Sequence, residues 1–200
     1  KTDYDTIKKK FGAEVAELVD GLTKLTDIKF EDKEDESMEN LRKMFLAMSK
    51  DIRVIFIKLA DRLHNVRTLN FVAPQKRRDK ALETLEIYAP IAHRLGIRAI
   101  KEELEDRAIS FLDPIGYKEI EDELSKQGKS HKEFLESIKK QIAERVQAVV
   151  PESRLEARIK SVHGIYRKMY MQNKNFDEIY DIYAVRIIVN SVIECYDCLG

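Results

Sequence analysis

The chain has 200 residues, with 36 lysines and arginines against 36 aspartates and glutamates. That balance excludes a global field steering it to nucleic acid or a membrane surface, and no apolar run approaches the length of a membrane span. Two cysteines are too few for a disulfide framework, so a reducing, cytoplasmic setting is the expectation.

Charged residues make up 36% of the chain, and seven glycines and four prolines leave room for long helices with wet outer faces. Residues 1–27 read as a helix with Thr2 or Asp3 as N-cap, since Val15, Leu18, Val19 and Leu22 recur at helical spacing. The charge run 29–37 lacks apolar rhythm and reads as a loop; helices follow over 39–49 and 51–70. A connection at 71–77 holds Pro74, and the next helical pattern, 78–94, contains Pro90, which kinks it or starts a new turn. Gly96 breaks the pattern, 98–111 resumes it, and Asp113-Pro114 marks a stop and restart. Two amphipathic helices are expected at 115–126 and 129–149, the second with Phe134, Ile138, Ile142 and Val146 every fourth residue. At Val150-Pro151 the character changes. A strand is expected at 155–160, a helix at 161–172 with Val162, Ile165, Tyr166 and Met169 on one face, and a buried strand at 182–189. Cys195 and Cys198 have the spacing of half a zinc site, but no second pair occurs, and a helix is the simpler reading.

The last quarter gathers cations. Arg158 and Lys160 are two apart on a strand and share a face. Ser161 sits where the helix begins, so its hydroxyl can cap free backbone N–H groups whose partial positive charge suits phosphate. Lys168 lies about two turns in, on the stripe Ser161, Gly164, Lys168, opposite the apolar one. Asp181 opens the second strand, a place where a carboxylate can anchor a divalent ion that offsets phosphate charge. The alternative is a solvated basic helix face with a strand-capping aspartate, and spacing alone leaves both open. Arg167 and His163 fall on the flank and read as surface or packing residues.

The pattern Arg158-Ile-Lys160-Ser161, then Tyr166-Arg167-Lys168-Met169, then Phe176-Asp177-Glu178-Ile179-Tyr180-Asp181-Ile182-Tyr183-Ala184-Val185-Arg186 resembles the synthetase motif of the RelA/SpoT homologue family. That resemblance implies transfer of the β,γ-pyrophosphate of ATP to the 3′-hydroxyl of GDP or GTP, giving (p)ppGpp. It implies that Arg158, Lys160 and Lys168 hold nucleotide phosphates with Ser161 nearby, that Asp181 binds Mg²⁺, and that Arg186 supports them. The chain departs from the family at His163-Gly164, where Tyr-Ser is common, so a hydroxyl able to contact phosphate is missing.

A second segment, Lys58-Leu59-Ala60-Asp61-Arg62-Leu63-His64-Asn65-Val66-Arg67-Thr68, places Asp61, Asn65 and Thr68 on one helical stripe and Leu59, Leu63 and Val66 on the other side. By itself the polar stripe reads as a solvated face. It resembles the last metal-binding helix of the HD-type hydrolase of the same family, which implies Asp61 as a Mn²⁺ ligand of a (p)ppGpp 3′-pyrophosphohydrolase and Asn65 and Thr68 as substrate contacts. Such a site also needs a His-Asp pair and a further histidine upstream. No His-Asp pair occurs, and His64, His93, His131 and His163 all follow Asp61.

The resemblance extends over the whole chain. It implies a mainly α fold, hydrolase helices and a central helical bundle, followed by the start of an α/β nucleotidyltransferase-like domain. The expected divisions are 1–76 for the back of the hydrolase, 77–150 for linking helices and 151–200 for the front of the synthetase. The chain is expected to be an internal fragment, incomplete at both sites and inactive alone, with exposed apolar surface favouring self-association. Expected partners are ATP, GDP or GTP and (p)ppGpp, with neither membrane nor direct nucleic acid. The rival readings are an HD-type phosphohydrolase of another nucleotide and a non-catalytic helical regulatory or interaction module.

Overall fold

The computed structural model describes residues 3–26 and 51–199, the side chains of residues 24–26 and 127–132 excepted. The charge run 29–37 and the helix expected at 39–49 lie outside the described residues. The chain forms two compact units, Lys1–Ala108 and Ile109–Gly200.

The first unit is helical. The helix expected over 1–27 is two helices, α1 (Tyr4–Phe11) and α2 (Ala13–Thr26), because Gly12 turns to φ 92°, a region only glycine enters cheaply. Asp3 caps α1 by accepting from the Thr6 N–H. Helix α3 (Ile52–Arg67) starts on Asp51, whose carboxylate accepts from the Arg53 N–H, and closes through Thr68 into a 3₁₀ turn, Leu69–Phe71. Helix α4 (Pro74–Glu83) begins earlier than expected: Pro74 opens the helix instead of lying in the connection before it, since a proline at the first helical position gives up an N–H that had no partner anyway. A π turn, Thr84–Tyr88, leads into α5 (Ala89–Arg94). Pro90 has no N–H for the carbonyl of Glu86, so the helix widens ahead of it. Gly96, at φ 71°, makes the expected break before α6 (Arg98–Leu112).

The core of this unit is Val54, Leu59 and Val66 of α3 against Ile87, Tyr88, Ile91 and Leu104, flanked by Leu18, Leu22 and Leu63. Gly21 lets α2 approach α3 closely, because an added Cβ would lie 3.0 Å from Val54 Cγ2. Arg62, nearly buried, pairs with Glu83 at 2.6 Å and places its guanidinium 4.1 Å from the centroid of the Tyr88 ring.

The second unit hangs on one long helix. Asp113 accepts from the Gly116 N–H and Pro114 takes the first position of α7, which runs unbroken over Pro114–Val149. Two helices were expected here. Gly128 does not end the helix, because a glycine costs about 1 kcal/mol in a helix interior, less than abandoning the hydrogen bonds of the following turns. Strand β1 (Arg154–Ile159), α8 (Val162–Tyr166), a π turn (Arg167–Met171), a 3₁₀ turn (Phe176–Glu178), β2 (Tyr183–Ile188) and α9 (Val192–Asp197) follow. The strands pair antiparallel, with Glu156 opposite Arg186 and Arg158 opposite Ala184. Strand β2 is less buried than expected: Ala184 and Arg186 are exposed, while Val185, Ile187 and Ile188 are half-buried.

Helix α7 packs on α8 and both strands. Ile120 of α7, Ile165 of α8 and Phe176, Ile179 and Ile182 form the core, with Val162, Tyr166 and Met169 against it. These last three and Ile165 are the apolar face expected from the sequence. Among the described residues no helix is long and apolar enough to cross a membrane.

Replacing Ile165, fully buried, by alanine is expected to destabilise the second unit by about 2–5 kcal/mol. Replacing Ile115, 81% exposed, is expected to change stability by less than about 0.5 kcal/mol. Urea unfolding followed by circular dichroism measures both, and equal effects would contradict the packing described.

Candidate functional site

The second unit positions its polar groups through its apolar ones. Phe176, Ile179 and Ile182 are buried, while Tyr180 and Asp181 between them face out. The approach to this segment is fixed locally. Asn173 takes φ 51°, and Asn175 and Glu178 form a reciprocal capping box in which the Glu178 carboxylate accepts from the Asn175 N–H at 2.7 Å. The carboxylate of Asp181 is therefore delivered to one place by three buried anchors and a capped turn.

Two lysines meet it there. Lys160 Nζ donates to Asp181 Oδ2 at 2.8 Å, and Lys168 Nζ donates to Oδ1 at 2.7 Å. Lys160 leaves the end of β1, with its N–H bonded to the carbonyl of Ile182 at 2.7 Å. Lys168 comes from the π turn after α8. The lysine side chains are largely covered, 18% and 26% exposed, whereas the carboxylate is 53% exposed and stands at the solvent edge. The two ammonium hydrogen bonds, Lys160 first, hold the Asp181 carboxyl down at about 2.

Of the residues singled out in this region, the structure thus brings Lys160, Lys168 and Asp181 together. Arg158 stands two residues earlier on β1, half-buried, with its Nε inside the protein. Ser161 caps α8 as expected, its hydroxyl accepting from the Gly164 N–H at 3.2 Å. The run it caps is short, five residues before the π turn, so its dipole is a minor source of positive potential beside the lysines. Gly164 lies under the Lys160 stem: an added Cβ would stand 3.1 Å from Lys160 Cγ and 3.1 Å from Ser161 Oγ, so a serine here would press on the lysine. His163 is buried and Arg167 exposed, the packing and surface roles expected of them. Arg186 is exposed on the same sheet face as Arg154, Glu156 and Arg158, and Arg154 pairs with Glu156 at 3.1 Å. Arg154 was not singled out from the sequence, although the alternation that selects Arg158 also selects it.

Two further contacts were missed because they join distant parts of the chain. Tyr166 donates to Asp113 Oδ2 at 3.0 Å and Tyr170 to Glu119 Oε2 at 2.5 Å, with the two rings 4.6 Å apart. The Glu119 carboxylate pushes the Tyr170 phenol up to about 12.

In the first unit, α3 carries Asp61 and Asn65 on its outer face, and Asn65 Nδ2 donates to Asp61 Oδ1 at 3.2 Å. Lys58 lies 3.5 Å from the same carboxylate, which is 52% exposed. Thr68 is the C-cap, and its hydroxyl turns back to the carbonyls of His64 and Asn65 at 3.1 and 3.3 Å. Leu59 and Val66 are buried on the opposite side, as the spacing requires. Cys195 lies in α9 and Cys198 caps its end; both are free thiols. Among the described residues no three histidine, cysteine, aspartate or glutamate side chains gather to hold a metal.

Two family models match the chain: the HD domain over residues 1–98 and the region found in RelA / SpoT proteins over residues 157–200. The bifunctional (p)ppGpp synthase/hydrolase SpoT of Escherichia coli is 47% identical over 197 residues, 98% of this chain and 28% of that protein. The guanosine-3′,5′-bis(diphosphate) 3′-pyrophosphohydrolase of Haemophilus influenzae is 45% identical over 98% of this chain and 29% of its own length. The GTP pyrophosphokinase of Streptomyces coelicolor is 42% identical over 100% of this chain and 24% of its own. The chain thus spans 24% to 29% of the length of these relatives.

The Asp181 carboxyl is expected to titrate at about 2 in a carbon-detected NMR pH series. Because its folded value is depressed, the lysine pairs contribute stability above the ordinary carboxylate range, and that contribution is lost as pH falls through about 2. Changing Lys160 and Lys168 together to methionine is expected to return the titration to near 4; an unshifted titration would remove the lysines as its cause.

Proposed function

From the premise that this chain belongs to the RelA/SpoT homologue family, we propose that its second unit forms part of a (p)ppGpp synthetase site and its first unit part of a (p)ppGpp 3′-pyrophosphohydrolase. The observation that carries the first half is the carboxylate shared by Lys160 and Lys168. Two ammonium groups fixed on one exposed carboxylate are a receptor for a polyphosphate, which offers them more negative charge than Asp181 does. On the arrival of ATP, Lys160 and Lys168 pass from the carboxylate to phosphate oxygens, and Arg158, on the adjoining strand, adds a further cation. Asp181, released from the lysines, would be the residue to hold a divalent ion.

An exposed hard-oxygen donor fits Mg²⁺, which is commonly held by one or two carboxylates together with substrate phosphates. When bound, Mg²⁺ offsets phosphate charge. The role of the chain's own residues is to hold the β,γ-pyrophosphate in place for the 3′-hydroxyl of GDP or GTP. Ser161 keeps the Lys160 backbone at the strand end by capping α8, and Arg186 contributes positive charge across the sheet face.

In the first unit Asp61 fits as one oxygen ligand of Mn²⁺, with Asn65 already bonded to it and Thr68 one turn on. One exposed carboxylate does not make a complete site, and no step is assigned to the ion here. Asn65 on α3 and Thr68 at its C-cap are the candidate substrate contacts of this reading, and Lys58, beside Asp61, adds a cation.

Titration of the chain with a nonhydrolysable ATP analogue and Mg²⁺ tests the reading of the second unit. Asp181→Ala is expected to weaken the metal-dependent part of binding by about tenfold or more, whereas Arg167→Ala changes it by less than about twofold. Unchanged metal dependence in Asp181→Ala would end this assignment.

A further inference from the structure

The two tyrosines that flank Lys168 bond to two carboxylates, one at the N-cap of α7 and one in its first turns. We infer that Asp113 and Glu119, acting through Tyr166 and Tyr170, are positioning residues that aim the Lys168 ammonium at the phosphate site. This rests on the reading of the site proposed above and adds residues far from the motif that carries it.

Lys168 is the second residue of a π turn, Arg167–Met171. A π turn is rare and occurs mostly as a single-turn bulge that shifts the side chains on it relative to an α-helix. Lysine adds a flexible four-carbon stem, and the place its ammonium reaches depends on that shift. Tyr166 stands two residues before it and Tyr170 two residues after. Their rings lie 4.6 Å apart, and both hydroxyls donate to the N-terminal end of α7: Tyr166 to Asp113 Oδ2 at 3.0 Å, Tyr170 to Glu119 Oε2 at 2.5 Å. The turn is thereby pinned on both sides of the lysine.

The acceptor side is itself fixed. Asp113 caps α7, its Oδ1 accepting from the Gly116 N–H at 3.0 Å, so its Oδ2 is presented at a set angle. Gly116 makes the approach possible: an added Cβ would lie 2.7 Å from Asp113 Oδ2 and 3.0 Å from Tyr166 Cε2. The apolar contacts of this region come from Val162, Ile165 and Met169, with the Tyr166 ring beside them. Removing the two hydroxyls while keeping the rings leaves that packing in place and releases the aim of Lys168. The result of the present aim is the 2.7 Å bond from Lys168 to Asp181.

The test combines a double-mutant cycle with amine labelling. The double variant Tyr166→Phe with Tyr170→Phe is expected to bind inorganic tripolyphosphate about tenfold more weakly by calorimetry. In a Lys168→Ala background the same two changes are expected to cost nothing further, because a residue acting through Lys168 has no effect in its absence. Glu119→Gln, which keeps an acceptor oxygen, is expected to retain most of the affinity. In the unliganded chain, reductive methylation of Lys168 is expected to speed up by about threefold in the double phenylalanine variant while that of Lys160 is unchanged. An equal loss of affinity with and without Lys168, or an unchanged labelling rate at Lys168, overturns the inference. Failure of the unaltered chain to bind tripolyphosphate, or binding indifferent to Lys168→Ala, overturns the reading of the site, and the labelling then decides the positioning by itself.

Discussion

One carboxylate between two ammonium groups organises the second unit. Asp181 joins the end of β1, through Lys160, to the turn after α8, through Lys168, and so ties three separate pieces of backbone at the solvent edge. Ion pairs at the surface stabilise weakly by themselves. The arrangement persists because the chain beneath it is held by burial: Ile120, Ile165, Phe176, Ile179 and Ile182 leave Asp181 no other side on which to emerge. The core sets the position, and the charges use it. In the reading proposed above, each lysine bond to the carboxylate gives way to one with phosphate.

The first unit follows a different logic. Its polar stripe of Asp61 and Asn65 lies on the outer face of α3, with Thr68 capping the helix end, and the inner face supplies Leu59 and Val66 to the core. Position on the stripe is therefore guaranteed by helix geometry and needs no long-range contact. The nearly buried Arg62, bonded to Glu83 and set over Tyr88, locks α3 to the helices that follow and keeps the stripe turned outward. The two units thus present candidate sites of contrasting construction. One is read from a single helix, and the other is assembled from a strand end, a turn and a loop.

Much of the fold was legible wherever a local rule had no competitor. The break at Gly96, the restart at Asp113-Pro114, the Ser161 cap and the apolar face of Val162, Ile165, Tyr166 and Met169 all follow from φ preferences, capping and spacing within a few residues. The misses have equally local causes. Gly12 divides a helix that Gly128 does not divide, because Gly12 adopts a positive φ and Gly128 continues an α-helix whose later turns outweigh its propensity cost. Pro74 begins a helix instead of sitting outside one, since its fixed φ suits the first turn. Strand β2 was expected to be buried from its branched residues, yet composition alone does not show whether another layer covers each face, and Ala184 and Arg186 are exposed.

For the candidate sites the division is sharper. The sequence by itself determined which residue types stand at which spacing: Arg158 and Lys160 two apart, Lys168 at the middle of the following helical stretch, Asp181 beside a run of branched residues, and Asp61 with Asn65 on one helical stripe. Those relations are periodic, and a period is a property of neighbours along the chain. Only the tertiary structure decided that Lys160 and Lys168 converge on Asp181, that Gly164 leaves room for the Lys160 stem, and that Asp113 and Glu119 reach Tyr166 and Tyr170 across about fifty positions of sequence. Contacts of that range arise when buried side chains bring remote segments together, and the pattern of any one segment holds no record of the partner it will meet.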